Sequence, residues 1–106
     1  MNEQYPFLDI LIYAYFNQDC TIIYGSELDD VIDAFFSNTS RKMKREVIKE
    51  INSFIHNSED VEKKFKLTYS DSDFVPELWD ITAFGFLEYV SKKAQDFLNE
   101  HNEQDK

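Results

Sequence analysis

Residues 5–19 read YPFLDILIYAYFNQD, and between Phe7 and Phe16 apolar side chains fall on nearly every side, with Asp9 the only charge. A helix that is apolar all round belongs in the centre of a bundle. Pro6 suits its first turn, where the missing N–H costs nothing. The length of the run favours a helix over a buried strand. Asn17-Gln18-Asp19 is then expected to end this helix and open a loop over residues 21–25. Gln18 and Asp19 are expected to bond free backbone groups there and lock the loop.

The next stretch, SELDDVIDAFF, predicts a helix capped by Ser26, with Asp29 completing a Ser-x-x-Asp variant of the capping box. Leu28, Val31, Ile32, Phe35 and Phe36 form its inward stripe. Residues 37–40 read as a linker. A third helix follows in SRKMKREVIKEINSFIHN, with Met43, Val47, Ile51, Phe54 and Ile55 at helical spacing and Ile48 beside them. A short fourth helix is expected over residues 59–65, capped by Ser58, with Val61 and Phe65 inward.

Residues 67–81 keep no sustained period and read as an irregular or short-strand connection. The last helix is expected to start near Thr82, with a stripe of Phe84, Leu87, Val90, Ala94 and Phe97 or Leu98. Gly85 inside it costs about 1 kcal/mol relative to Ala, which points to a close helix crossing or a slightly later start. The expectation is an all-α, compact bundle of about four or five helices. It forms a single domain over residues 1–106, with its core in 5–98 and a fraying tail at 99–106.

Composition agrees with that picture. A chain of 106 residues supports one compact domain, and its 42% hydrophobic content with ten Phe and six Tyr is ample for a core. Two Gly and two Pro are too few for the tight turns of a β-sandwich or barrel. A lone cysteine, Cys20, cannot form an intrachain disulfide and fits a reducing compartment. The opening MNEQYPFLD lacks a basic region, and no apolar run approaches the roughly 20 residues that span a bilayer. A cytoplasmic, soluble protein is expected.

Candidate chemistry is sparse. Cys20 would need a nearby base to act as a nucleophile, and only His56 and His101 are available. A buried, inert Cys20 is the expectation, with His56 at a helix C-terminus where an imidazolium is favoured. SDSDFVPE offers Asp71, Asp73 and Glu77, superficially like part of a calcium loop. Val75 stands where a third oxygen ligand belongs and the loop glycine is missing. No phosphate-cradling glycine loop and no Cys/His zinc pattern occurs. Neither an enzyme nor a metal or other cofactor is expected.

Charge says more. The net charge of −10 disfavours nucleic acid and anionic membranes and favours a basic partner. The signs are also segregated along the chain. Residues 1–40 hold no Lys or Arg but carry Glu3, Asp9, Asp19, Glu27, Asp29, Asp30 and Asp33. Residues 67–91 likewise hold no cation but carry Asp71, Asp73, Glu77, Asp80 and Glu88. Simple solvation would mix the signs. Aromatics interleave with the acids: Tyr24 in the first region, then Tyr69, Phe74 and Trp79 in the second, Trp79 reading as core.

These residues also carry a resemblance. Tyr5-Pro6, Leu8, the run Tyr15-Phe16-Asn17-Gln18-Asp19, the acidic helix from Leu28 to Phe35, Glu50-Ile51, and Thr82 with Phe86-Leu87 resemble the CdiI-type immunity proteins of contact-dependent growth inhibition. The likeness spans residues 5–98. Asn17 stands where a histidine is common in that family, and Phe86 where a tryptophan is common.

The resemblance implies a protein that binds and neutralises a cognate CdiA C-terminal toxin domain, often a nuclease with a basic substrate cleft. The expected toxin-binding residues are Asp19, Asp29, Asp30, Asp33, Asp71, Asp73 and Glu77, with Tyr24 and Tyr69 as anchors. A monomer forming a 1:1 complex is expected. Reversing Asp29, Asp30 and Asp33 to Lys should slow capture and leave the melting temperature nearly unchanged. The alternative is a helical adaptor or secretion chaperone holding a basic or amphipathic segment; a small hydrolase is the third reading.

Overall fold

The computed structural model describes residues 5–101, and among them every regular element is helical. Helix α1 (Pro6–Asp9) runs directly into a π-helical segment (Ile10–Tyr15). Then come α2 (Cys20–Ile23), α3 (Leu28–Ser37), α4 (Arg41–His56), α5 (Val61–Thr68), a 3₁₀ turn (Pro76–Trp79) and α6 (Ala83–His101). The all-α expectation holds.

The details depart from the sequence reading in three places. Residues 20–23, read as mostly loop, coil into α2. The connection at 67–81 contains the end of α5 and the 3₁₀ turn but no strand. Residues 99–101, expected to fray, continue α6. Glu3 and the remainder of the expected tail, 102–106, lie outside the described residues.

Phe rings dominate the interior. Phe16, Phe74 and Phe86 form a triangle, with ring centroids 4.5 Å apart for Phe16–Phe74 and Phe74–Phe86 and 5.5 Å for Phe16–Phe86. One apex ends the first helix, one lies in the connection, and one belongs to α6, so the triangle ties three distant segments together. Helix α4 packs against both α1 and α6, while α3 lies on the π-helical segment. On α6 the inward residue is Phe86, fully buried, whereas Phe84 is 40% exposed. The start at Ala83 rotates the stripe away from Phe84.

Two carboxylates cap helices far from themselves in sequence. Glu50 Oε1 accepts from the backbone N–H of Leu8 at 2.9 Å and of Phe7 at 3.1 Å. Glu62 accepts from the N–H of Ala83 and of Phe84, both at 2.8 Å. Each satisfies N-terminal donors that the local sequence cannot cap. Thr82 Oγ1 adds a bond from Gly85 N at 2.9 Å. A Cβ on Gly85 would sit 3.0 Å from that hydroxyl and 3.3 Å from Ile81 Cγ1, so the glycine admits the helix's own leading residues rather than a crossing helix.

Ordinary caps start the other long helices. Ser40 Oγ accepts from Met43 N, and Asp60 Oδ1, not Ser58, accepts from Lys63 N. The box expected at Ser26 and Asp29 is displaced by one residue to Glu27 and Asp30, Asp30 Oδ2 accepting from Glu27 N at 3.1 Å. Gly25, at φ +132°, makes the turn that sets this register.

Candidate functional site

The end of the first helix and the connection before α6 form one surface. Asn17 organises its first half: Nδ2 donates to the Ala14 carbonyl and Oδ1 accepts from Asp19 N, both at 2.9 Å. Asn17, not the exposed Gln18, therefore locks the loop. The Asp19 carbonyl then accepts from Ile22 N and Ile23 N, closing α2 at the surface. In the second half, Phe74 and Trp79 both pack on Phe16, Trp79 edge-on at 5.5 Å. Tyr13 holds the start of that half, its hydroxyl donating to Asp71 at 2.6 Å.

Between the halves lies a groove of 310 Å³. Asn17, Cys20, Thr21 and Ser26 line one side, and Asp73, Leu78 and Trp79 the other. The two cation-free stretches of sequence thus meet across a single depression. A neighbouring concavity of 460 Å³ is lined by Glu27, Asp29 and Asp30 with Ile81 and Tyr89, extending the contact between the stretches toward α6.

The nine residues singled out from sequence divide by what they already bind. Lys93 Nζ lies 2.7 Å from Asp33 Oδ1 and 3.5 Å from Asp29 Oδ1. Asp29 also accepts from the Tyr89 hydroxyl. That bond, with the Lys93 charge, holds the Asp29 carboxyl below its usual range, and the same bond with burial pushes the Tyr89 phenol up against the opposing Lys93 charge. Burial opposes the ammonium of Lys93, but the Asp33 bond and the two carboxylates raise it overall. Asp30 is committed to the α3 cap.

Asp71 is held low by its Tyr13 bond, while burial and that carboxylate push Tyr13 up to about 12. Asp19, Asp73 and Glu77 are exposed and, among the described residues, make no side-chain hydrogen bond or ion pair. Asp73 lines the groove, whereas Asp19 lies on the exposed turn beside it, between the lining residues Gln18 and Cys20. Glu77 faces across the 3₁₀ turn into a separate cleft of 480 Å³ rimmed by Lys63 and Lys66.

The aromatic anchors fare differently. Tyr24 is half-buried, its ring stacked on Tyr15 at 5.3 Å and 22°. Tyr69 is 3% exposed, packed on Phe65 and donating to the fully buried Asp9 at 2.9 Å. Burial and that carboxylate push its phenol strongly up. Its ring belongs to the core and is not presented to a partner.

The apolar side chains that do face outward here are Ile22 at 84%, Ile23 at 58% and Leu78 at 80% exposure. Sequence reasoning passed over all three. An isoleucine pair next to a buried cysteine reads as core until α2 is known to be a single surface turn.

Among the described residues, Cys20 and His56, the candidate nucleophile and base, do not line a common pocket. Cys20 is 5% exposed and its thiol is pushed up by burial, which keeps it protonated at neutral pH. His56 ends α4 and is exposed, away from the groove. Among the described residues no group of three or more His, Cys, Asp or Glu could hold a metal ion, and no helix is long and apolar enough to cross a membrane.

A family model described as CdiI immunity protein matches residues 4–94. The chain belongs to the CdiI immunity protein family. No curated protein and no solved structure matches it significantly. CdiI-family immunity proteins bind and neutralise cognate toxin domains. Several residues that carried the resemblance meet in the fold of this CdiI protein. Glu50 caps the helix that Tyr5-Pro6 opens, Asn17 ties the loop, and Phe86 packs on Phe16.

Proposed function

We infer that this CdiI-family protein neutralises a basic toxin domain of the nuclease type by covering its substrate cleft with the surface built around the α2–α3 turn and residues 71–81. The observation that carries the reading is the groove whose two walls come from the two cation-free stretches. A nuclease cleft is cationic because it holds a phosphate backbone. A carboxylate-bearing surface competes for the same charges, and opposite fields accelerate the encounter. The protein acts by binding and not by catalysis, in the cytoplasm, as a monomer in a 1:1 complex and without a cofactor.

The carboxylates divide the work. Asp29, Asp30 and Asp33 contribute to the long-range field while serving the fold. Asp19, Asp73 and Glu77 are available to pair directly, and Tyr24 and Asp71 flank them. The test uses the C-terminal domain of the exported protein encoded beside this chain's gene. That domain should degrade nucleic acid, lose the activity with one equivalent of this protein, and elute with it as a 1:1 complex by light scattering. Undiminished degradation with an excess of the protein contradicts the reading.

A further inference from the structure

Net charge attracts any basic domain, so an immunity protein needs something else to hold one partner. The groove between α2 and the 3₁₀ turn has the features of such a device. Its floor is apolar, made by Phe16 at 1% and Cys20 at 5% exposure with Trp79 beside them. Its rim carries Leu78, 80% exposed, opposite Thr21, and α2 continues from Thr21 into the exposed Ile22 and Ile23. Large apolar side chains left this exposed to water on both sides of one depression mark a place that a partner covers. On the same rim Asp73 offers a carboxylate with no internal partner among the described residues.

We propose that this groove is the anchor site of the complex and takes one arginine side chain of the toxin domain. The arginine stem lies against Leu78 and Trp79, and its guanidinium meets the Asp73 carboxylate. Arginine fits better than lysine because guanidinium is weakly hydrated, stacks on aromatic surface and forms paired bonds to a carboxylate. The occupant is cationic because the one charged side chain lining the groove is the Asp73 carboxylate, both walls come from cation-free stretches, and no Lys or Arg lines it. The proposal rests on the toxin-binding reading above and adds the site that sets the lifetime of the complex. Charge around the groove brings the partner in, and the desolvated anchor holds it.

The experiment measures association and dissociation of the adjacent-gene toxin domain by surface-immobilised kinetics for the wild type, Leu78→Ala, Thr21→Trp and Asp73→Asn. All three positions are exposed, so none of the variants removes core packing. Each should dissociate at least tenfold faster. Leu78→Ala and Thr21→Trp should associate within twofold of wild type, because they leave the charge unchanged. The sole cysteine supplies a local probe: Cys20 in the groove floor should react more slowly with a thiol reagent in the complex than in the free protein. Wild-type binding with dissociation unchanged in Leu78→Ala and Thr21→Trp, or with Cys20 reactivity unaltered, overturns the anchor proposal. Failure of the wild type to bind at all overturns the toxin reading instead.

Discussion

The Lys93 ammonium lies 2.7 Å from the Asp33 carboxylate, so a cation from α6 neutralises part of the acidic helix α3 within the molecule. This pairing changes what charge reversal on α3 can mean. Replacing Asp33 with Lys sets two ammonium groups together, and replacing Asp30 removes a cap at the same time. The triple reversal of Asp29, Asp30 and Asp33 is therefore not silent in stability, contrary to the expectation from sequence. We expect its melting temperature to fall by several degrees, read by thermal denaturation. Lys93→Met alone, acting on half-exposed partners, should cost less than about 1 kcal/mol in urea unfolding.

The Asp29–Tyr89 bond makes stability depend on pH at both ends. Asp29 is held below its ordinary 3.8, so its contribution is present above that value and is lost as pH falls through the lowered one. Tyr89 and Lys93 are raised above 10.0 and 10.5, so their contributions are present below those values and fade as pH climbs past the raised ones. Tyr89→Phe should flatten both limbs of a urea-midpoint profile measured from pH 3 to 11. An unchanged profile would show that the bond contributes nothing.

Glu50 is the long-range cap of α1, and its removal leaves two N-terminal donors without their acceptor. Glu50→Ala should cost about 2–4 kcal/mol in equilibrium unfolding. Glu50→Gln keeps one acceptor and should cost less. Burial raises the Glu50 carboxyl above its ordinary 4.5, despite the two donors that favour its charge. The folded state therefore holds this proton more tightly than the unfolded state. The stability that wild type gains from this residue shrinks as pH rises from 4.5 through the raised value, and the gap to Glu50→Gln should narrow with it.

Gly25 sits at φ +132°, and a Cβ there would collide with the Asp30 carboxylate. Gly25→Ala must both strain the backbone and displace the carboxylate that caps α3. It should destabilise by about 1–3 kcal/mol. Asn17→Ala removes the two loop bonds and should cost about 1–2 kcal/mol. Both are read from the urea midpoint, and neither should alter the helical signal of the folded state.

Helix periodicity located the long elements, because Val31, Ile32, Phe35 and Phe36, or Val47, Ile51 and Phe54, can be buried together only on a helical face. It failed where a residue acts across the fold. Nothing beside Glu50 or Glu62 in the chain signals that each caps a helix more than twenty residues away. The acidic bias was legible as composition, yet its division into committed and available carboxylates depends on where Lys93, Tyr89 and Tyr13 land. Tyr69 illustrates the same limit. A tyrosine among acids looks like a contact, and only the position of Asp9 behind it makes it core.

The most direct test of the central claim is the association rate of the toxin domain with wild type and with Asp19→Lys/Asp73→Lys/Glu77→Lys, at low and high salt. Association of the triple variant should be slowed at least about tenfold at low salt, with the gap closing as salt screens the field. Equal rates for the two proteins at low salt would contradict it.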